Sequence, residues 1–93
     1  MADDRAPILA IGANGGVVQL PGRHFPGLVI QGDSLHILLG VLAEAKRALA
    51  EGDTAEARDC IDEAIEAVAG RVEFYESTLS AAGMALPYRT KPS

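Results

Sequence analysis

Apolar residues in the first third of the chain come in three short runs, Ile8 to Ile11, Val17 to Leu20 and Leu28 to Ile30, each closed within two residues by glycine or proline. Runs of that length and β-branched content predict strands at Ile8 to Gly12, Val17 to Leu20 and Leu28 to Gln31. Asn14-Gly15 is a type I′ hairpin signal, because both central positions of that turn need positive φ. Its register sets Ile11 opposite Val18 and Leu9 opposite Leu20, four side chains on one buried face. Ala10, Val17 and Gln19 then fall on the other.

From Leu35 onward the spacing changes. Leu35, Leu38, Leu42, Ala45 and Leu49 recur at intervals of three and four, with Ile37, Val41 and Ala48 on the flank, so a helix is predicted. Asp33 or Ser34 stands where a cap is needed, and Gly52 where the helix must end. Asp53 and Glu56 have capping-box spacing ahead of a second helix, whose seam is Ile61, Ile65, Val68, Val72, Tyr75 and Leu79. Gly83 closes it. A link as short as Gly52-Asp53 makes the helices antiparallel neighbours.

The expected fold is therefore α+β, a three-stranded antiparallel β-meander followed by an antiparallel αα-hairpin, in the order β-β-β-α-α. It occupies residues 8–83 as one domain, between a flexible N-terminal tail (1–7) and a C-terminal tail (84–93). The two helices differ in length, about 25 Å against about 43 Å at 1.5 Å per residue. Pairing should run out near Gly70, a mid-helix glycine that marks a bend or a close crossing and costs about 1 kcal/mol relative to alanine. Beyond it Val72, Phe74, Tyr75 and Leu79 need cover from the sheet or from a second copy. They are the self-association candidates, and a homodimer is the expected state.

Composition narrows the class. Ninety-three residues, 48% hydrophobic and 23% charged, suffice for one small core, and with only two Phe, two Tyr and no Trp that core must be aliphatic. Cys60 is the single cysteine, so no internal disulfide forms and a reducing cytoplasmic setting is expected. Ala55 to Gly83 holds seven carboxylates and two arginines, a balance of −5 that equals the net charge of the whole chain. Acidity of that kind disfavours nucleic acid and anionic membrane as partners. The Ile8 to Ile11 run is too short for a signal-peptide core, and nothing reaches the length of a membrane span.

Candidate chemistry is sparse. Gly12-Ala13-Asn14-Gly15-Gly16 leads into a strand, whereas a phosphate-binding loop must feed a helix. Ser34 lacks a nucleophile elbow and reads as a cap. Asp59, Asp62, Glu63 and Glu66 form an acidic stripe without the Glu-x-x-His partners of a di-metal bundle. No catalytic residue, cofactor or metal site is predicted. The sharpest candidate is the loop bracketed by Pro21-Gly22 and Pro26-Gly27, whose tip joins a cation, an imidazole and an aromatic ring in Arg23, His24 and Phe25. That is the composition of a partner-binding hot spot. The competing reading folds Phe25 inward.

The block from Gly16 to Leu35, GVVQLPGRHFPGLVIQGDSL, resembles that of a family of short uncharacterised bacterial proteins sharing V-V-x-L-P-G-R-x-F-P-G-x-x-x-Q-G-D-S-L. The resemblance extends loosely to the Leu86-Pro87-Tyr88 ending. It implies a bacterial setting and a stand-alone domain and carries no activity with it. The expected function is a small protein-interaction module, immunity-like or antitoxin-like, acting on a protein partner. The alternative is a ligand-binding or enzymatic pocket around His24, His36 and Gln31.

Overall fold

The computed structural model describes residues 7–12 and 15–89. Three strands, β1 (Ile8–Gly12), β2 (Gly15–Val18) and β3 (Gly27–Ile30), form an antiparallel sheet in the order β1-β2-β3. Helices α1 (Gly32–Ala50) and α2 (Thr54–Ala81) follow. This is the α+β arrangement, β-β-β-α-α, that the hydrophobic pattern predicts. The chain divides into two compact units: the sheet with the residues from Glu73 onward, and the segment from Ile30 to Val72.

In the sheet unit the hairpin register differs from expectation. Gly12 pairs with Gly15, Ile11 with Gly16 and Ala10 with Val17, and a bulge between Ile8 and Ala10 brings Ile8 opposite Val18. Gly15, expected in the turn, is thus paired in the ladder, and the rest of the expected Asn14-Gly15 turn lies outside the described residues. The buried face is also the opposite one. Val17 is fully enclosed while Ile11 is 77% exposed.

The reason is steric. The aromatic ring of Phe74 lies over Gly12, where an added Cβ would come within 3.2 Å of Cζ, so this face accepts only small residues beside Val17. The core of the unit is Val17, Tyr75 and Leu79, with Leu28, Phe74, Met84 and Leu86 packed against it. Met84 and Leu86 follow the left-handed Gly83, whose helix-closing role agrees with the sequence; Met84 N–H donates back to the Leu79 carbonyl at 2.9 Å.

In the helical unit α1 begins one residue before Asp33. Its N-cap is Gln31, which makes no side-chain cap bond; Asp33 instead accepts the Ser34 amide from within the first turn. Gly52 is left-handed and Asp53 N–H reaches the Ala48 carbonyl, closing α1 as the sequence predicts. Asp53 caps α2 by accepting the Glu56 amide at 3.0 Å. The Glu56 carboxylate does not return the bond; it lies 3.6 Å from the Cys60 thiol.

α2 is one unbroken 28-residue helix. Gly70 neither ends it nor marks a crossing, since an added Cβ there would meet nothing within 4 Å.

Candidate functional site

Two surfaces carry the residues of interest, one in each unit.

In the sheet unit, the Pro21–Gly27 loop is held at three points. Leu20 to Arg23 forms a turn with Pro21 and the left-handed Gly22 at its centre, closed by Arg23 N–H donating to the Leu20 carbonyl. The Gln19 amide donates to the Arg23 carbonyl at 2.6 Å, and the Tyr75 hydroxyl to the Pro26 carbonyl at 2.7 Å. Arg23 and His24 are left exposed, while Phe25 is half-buried with its ring edge-on to His24, centroids 4.6 Å apart. Beside them is an open hollow of about 620 Å³ that Tyr75 and Pro87 also line.

The loop was predicted from its two Pro/Gly pairs. The clamps on it were not, because Tyr75 is 49 residues away from the carbonyl it holds.

Of the four self-association candidates, Tyr75 and Leu79 are buried in the core of their own chain, Phe74 packs partly against it, and Val72 is 40% exposed. Val17 and Leu28 of the sheet, with Met84 and Leu86, pack with Tyr75 and Leu79. His24 belongs to the loop hollow, whereas His36 lies on α1 in an apolar hollow with Gly32, Leu35, Leu38, Leu39 and Leu42. Gln31 precedes α1 and is exposed.

The helical unit presents a surface that the periodicity reading turned inward. The buried and half-buried positions of α1 toward its partner helix are Ser34, Leu38, Val41, Ala45 and Ala48; those of α2 are Ala57, Cys60, Ala64, Ala67 and Arg71. Both sets have heptad spacing, and both are dominated by small side chains. One position further along each helix stand Leu35, Leu39, Leu42 and Leu49 on α1 and Ile61, Ile65, Val68 and Val72 on α2, all between 40 and 63% exposed.

One residue is a rotation of about 100° about a helix axis. Because the helices run antiparallel, the same forward step turns both rows to the same side of the pair. The hairpin therefore has one continuous aliphatic face. On α2 a row of alanines beside a row of isoleucines is the available signal, and ranking by hydrophobicity alone picks the wrong row; on α1 the predicted stripe includes the buried or half-buried Leu38, Val41, Ala45 and Ala48.

Two cations, Lys46 and Arg58, stand in the rows of this face, and no carboxylate does. Arg47 pairs with Glu44 and Glu51 along α1, which raises the guanidinium pKa and holds Glu44 below the usual carboxylate range. Burial, then the nearby Glu56, pushes the Cys60 thiol up. Arg71 donates to the Ala67 carbonyl, and its Nε is buried without a partner among the described residues, beside a hollow of about 150 Å³.

Among the described residues no three His, Cys, Asp or Glu side chains are grouped to hold a metal ion, and no helix is long and apolar enough to cross a membrane. No curated protein and no solved structure matches the chain. A family model does match, over residues 1–88, and the chain belongs to that family of unknown function, DUF6959.

Proposed function

We propose that this protein is a docking module that works by binding another protein through the aliphatic face of its helical hairpin. The observation that supports the reading is the exposure of Leu35, Leu39, Leu42, Leu49, Ile61, Ile65, Val68 and Val72 on one side of the α1–α2 pair. Their exposed area is on the order of 700–800 Å², above the roughly 300–600 Å² of the largest apolar patch on an ordinary monomer and close to the about 800 Å² per side of a standard interface. Such a face carries a cost in solubility unless it is covered.

A small acidic chain with an apolar docking face suits an immunity-like or antitoxin-like role. The lone, buried Cys60 suits a reducing cytoplasm.

The test is a photo-crosslinking side chain at Val68 in the producing cell, with the same probe at Asp59 as the control. Adducts of defined mass from Val68 and none from Asp59 are expected; no adduct at Val68 rejects the reading.

A second reading is favoured by the loop. Arg23, His24 and Phe25 sit on a backbone pinned by Gln19 and Tyr75, so they form a preorganised tip beside an open hollow suited to a small acidic ligand. Loss of binding on Arg23→Ala, with an unchanged fold, is its test.

A further inference from the structure

We infer that the occupant of the hairpin face is a second copy of this chain, the two hairpins packing face to face as a four-helix bundle with their turns at opposite ends. The inference rests on the docking reading above and names its partner. Three observations carry it: the shape of the face, its area and the position of its two charges.

The face consists of two parallel rows of aliphatic side chains. A single amphipathic helix laid on such a surface covers the furrow between the rows and leaves their outer flanks wet. A second pair of rows covers all of it, and helices crossing at about 20° interdigitate in that way. The area offered is what one side of a standard interface buries. Leu, Ile and Val are also the residues that fill bundle cores, and here eight of them are exposed while the seam, apart from Leu38 and Val41, is mostly alanine.

Charge selects the arrangement. No carboxylate lies in either row, although the chain carries −5 overall. The rows do contain two cations, Lys46 between Leu42 and Leu49 and Arg58 ahead of Ile61, and these stand six residues either side of Gly52. A two-fold axis along the helices would lay α1 over α2 of the other copy with both turns at one end, bringing Lys46 onto the partner's Arg58. Like charges opposed at an interface are costly.

A two-fold axis across the helices puts the turns at opposite ends and lays α1 over α1, antiparallel. Leu42, at the middle of its row, then meets its own equivalent, and like cations are set apart along the helices, the two Lys46 by about 12 Å. The symmetry is closed and isologous, so no open filament results.

Sedimentation equilibrium of the full chain at about 10 to 100 µM should give a dimer. Leu39→Glu and Ile65→Glu should each weaken it by about 30-fold or more while the far-ultraviolet helical signal is unchanged. In a Cys60→Ala background, Leu42→Cys should oxidise to a covalent dimer by itself. A monomer throughout the concentration range, or a dimer indifferent to both glutamate variants, overturns the inference. Disulfide formation only when Leu42→Cys is combined with Ile61→Cys overturns the opposed arrangement.

The two readings fail separately. A monomer whose Val68 photoprobe still labels a different protein rejects self-association and leaves docking standing, whereas a monomer with no label rejects both.

Discussion

The Tyr75 hydroxyl donates to the Pro26 carbonyl at 2.7 Å, tying the core of the sheet unit to the base of the Arg23–Phe25 tip across 49 residues of sequence. Both groups are buried, so neither has water as an alternative partner. Tyr75→Phe keeps the ring and orphans the carbonyl. It should destabilise the fold by about 1–2 kcal/mol, read by urea unfolding, and should speed amide exchange in the loop more than in the helical hairpin. Equal acceleration everywhere would show that the bond does not hold the loop locally.

Gly12 and Phe74 form a size-complementary pair. Gly12→Ala places a Cβ 3.2 Å from the ring, which must shift, and the expected cost is about 1–3 kcal/mol. Phe74→Leu in the same chain should recover part of it, giving a coupling energy in a double-mutant cycle. Gly16→Ala should be worse and uncorrectable by Phe74→Leu, because its Cβ would lie 2.8 Å from the Ala10 backbone oxygen, which cannot turn aside.

The helical hairpin should respond to substitution in the reverse of the usual sense. Ala48→Leu and Ala64→Leu enlarge residues in the buried seam, and each should cost about 1–3 kcal/mol. Leu39→Ala removes far more apolar volume yet should change the unfolding free energy of the isolated subunit by well under that, since Leu39 is 63% exposed. Thermal melts at low micromolar concentration compare the two.

Tyr88 donates its hydroxyl to Glu76 at 3.0 Å, and burial, then that carboxylate, holds the phenol pKa above its ordinary 10.0. A group raised in the folded state adds stability that is complete below the unfolded value and disappears as pH climbs through the folded one. The attachment of Tyr88 to α2 should therefore persist through neutral pH and be lost only above pH 10.0. Absorbance titration of the phenol should show a late step that Glu76→Gln moves to lower pH.

Cys60 should be a slow nucleophile. Its thiol is buried in the α1–α2 seam and its pKa lies above the ordinary 9.0, first through burial and then through Glu56. Alkylation of the folded chain near neutral pH should lag behind that of the denatured chain, the thiolate being scarce and covered. Glu56→Gln should quicken it modestly, since burial remains.

Local chemistry is what the sequence determined without help. The number of strands, though not the bounds of β2 (Gly15–Val18 where Val17 to Leu20 is expected), the glycine closures at Gly52 and Gly83, the Asp53 cap and the shaped loop between two Pro/Gly pairs all follow from dihedral preference and short-range sequence signals. Each was legible for that reason. Hydrophobic spacing likewise announced two helices, because a period of three and four is a property of one segment.

Which side of each element faces inward was decided only in three dimensions. The pattern put Leu9, Ile11, Val18 and Leu20 inside the sheet and Ile61, Ile65 and Val68 inside the hairpin; the folded chain buries Val17, Ala57 and Ala64 instead. Periodicity counts apolar residues but is blind to their fit. Inside, space is set by the neighbouring element, so a Phe74 ring demands Gly12 beneath it, and small residues line the seam between the helices. Hydrophobicity ranks leucine above alanine for burial, whereas packing between two particular surfaces chooses the side chain that fills the gap.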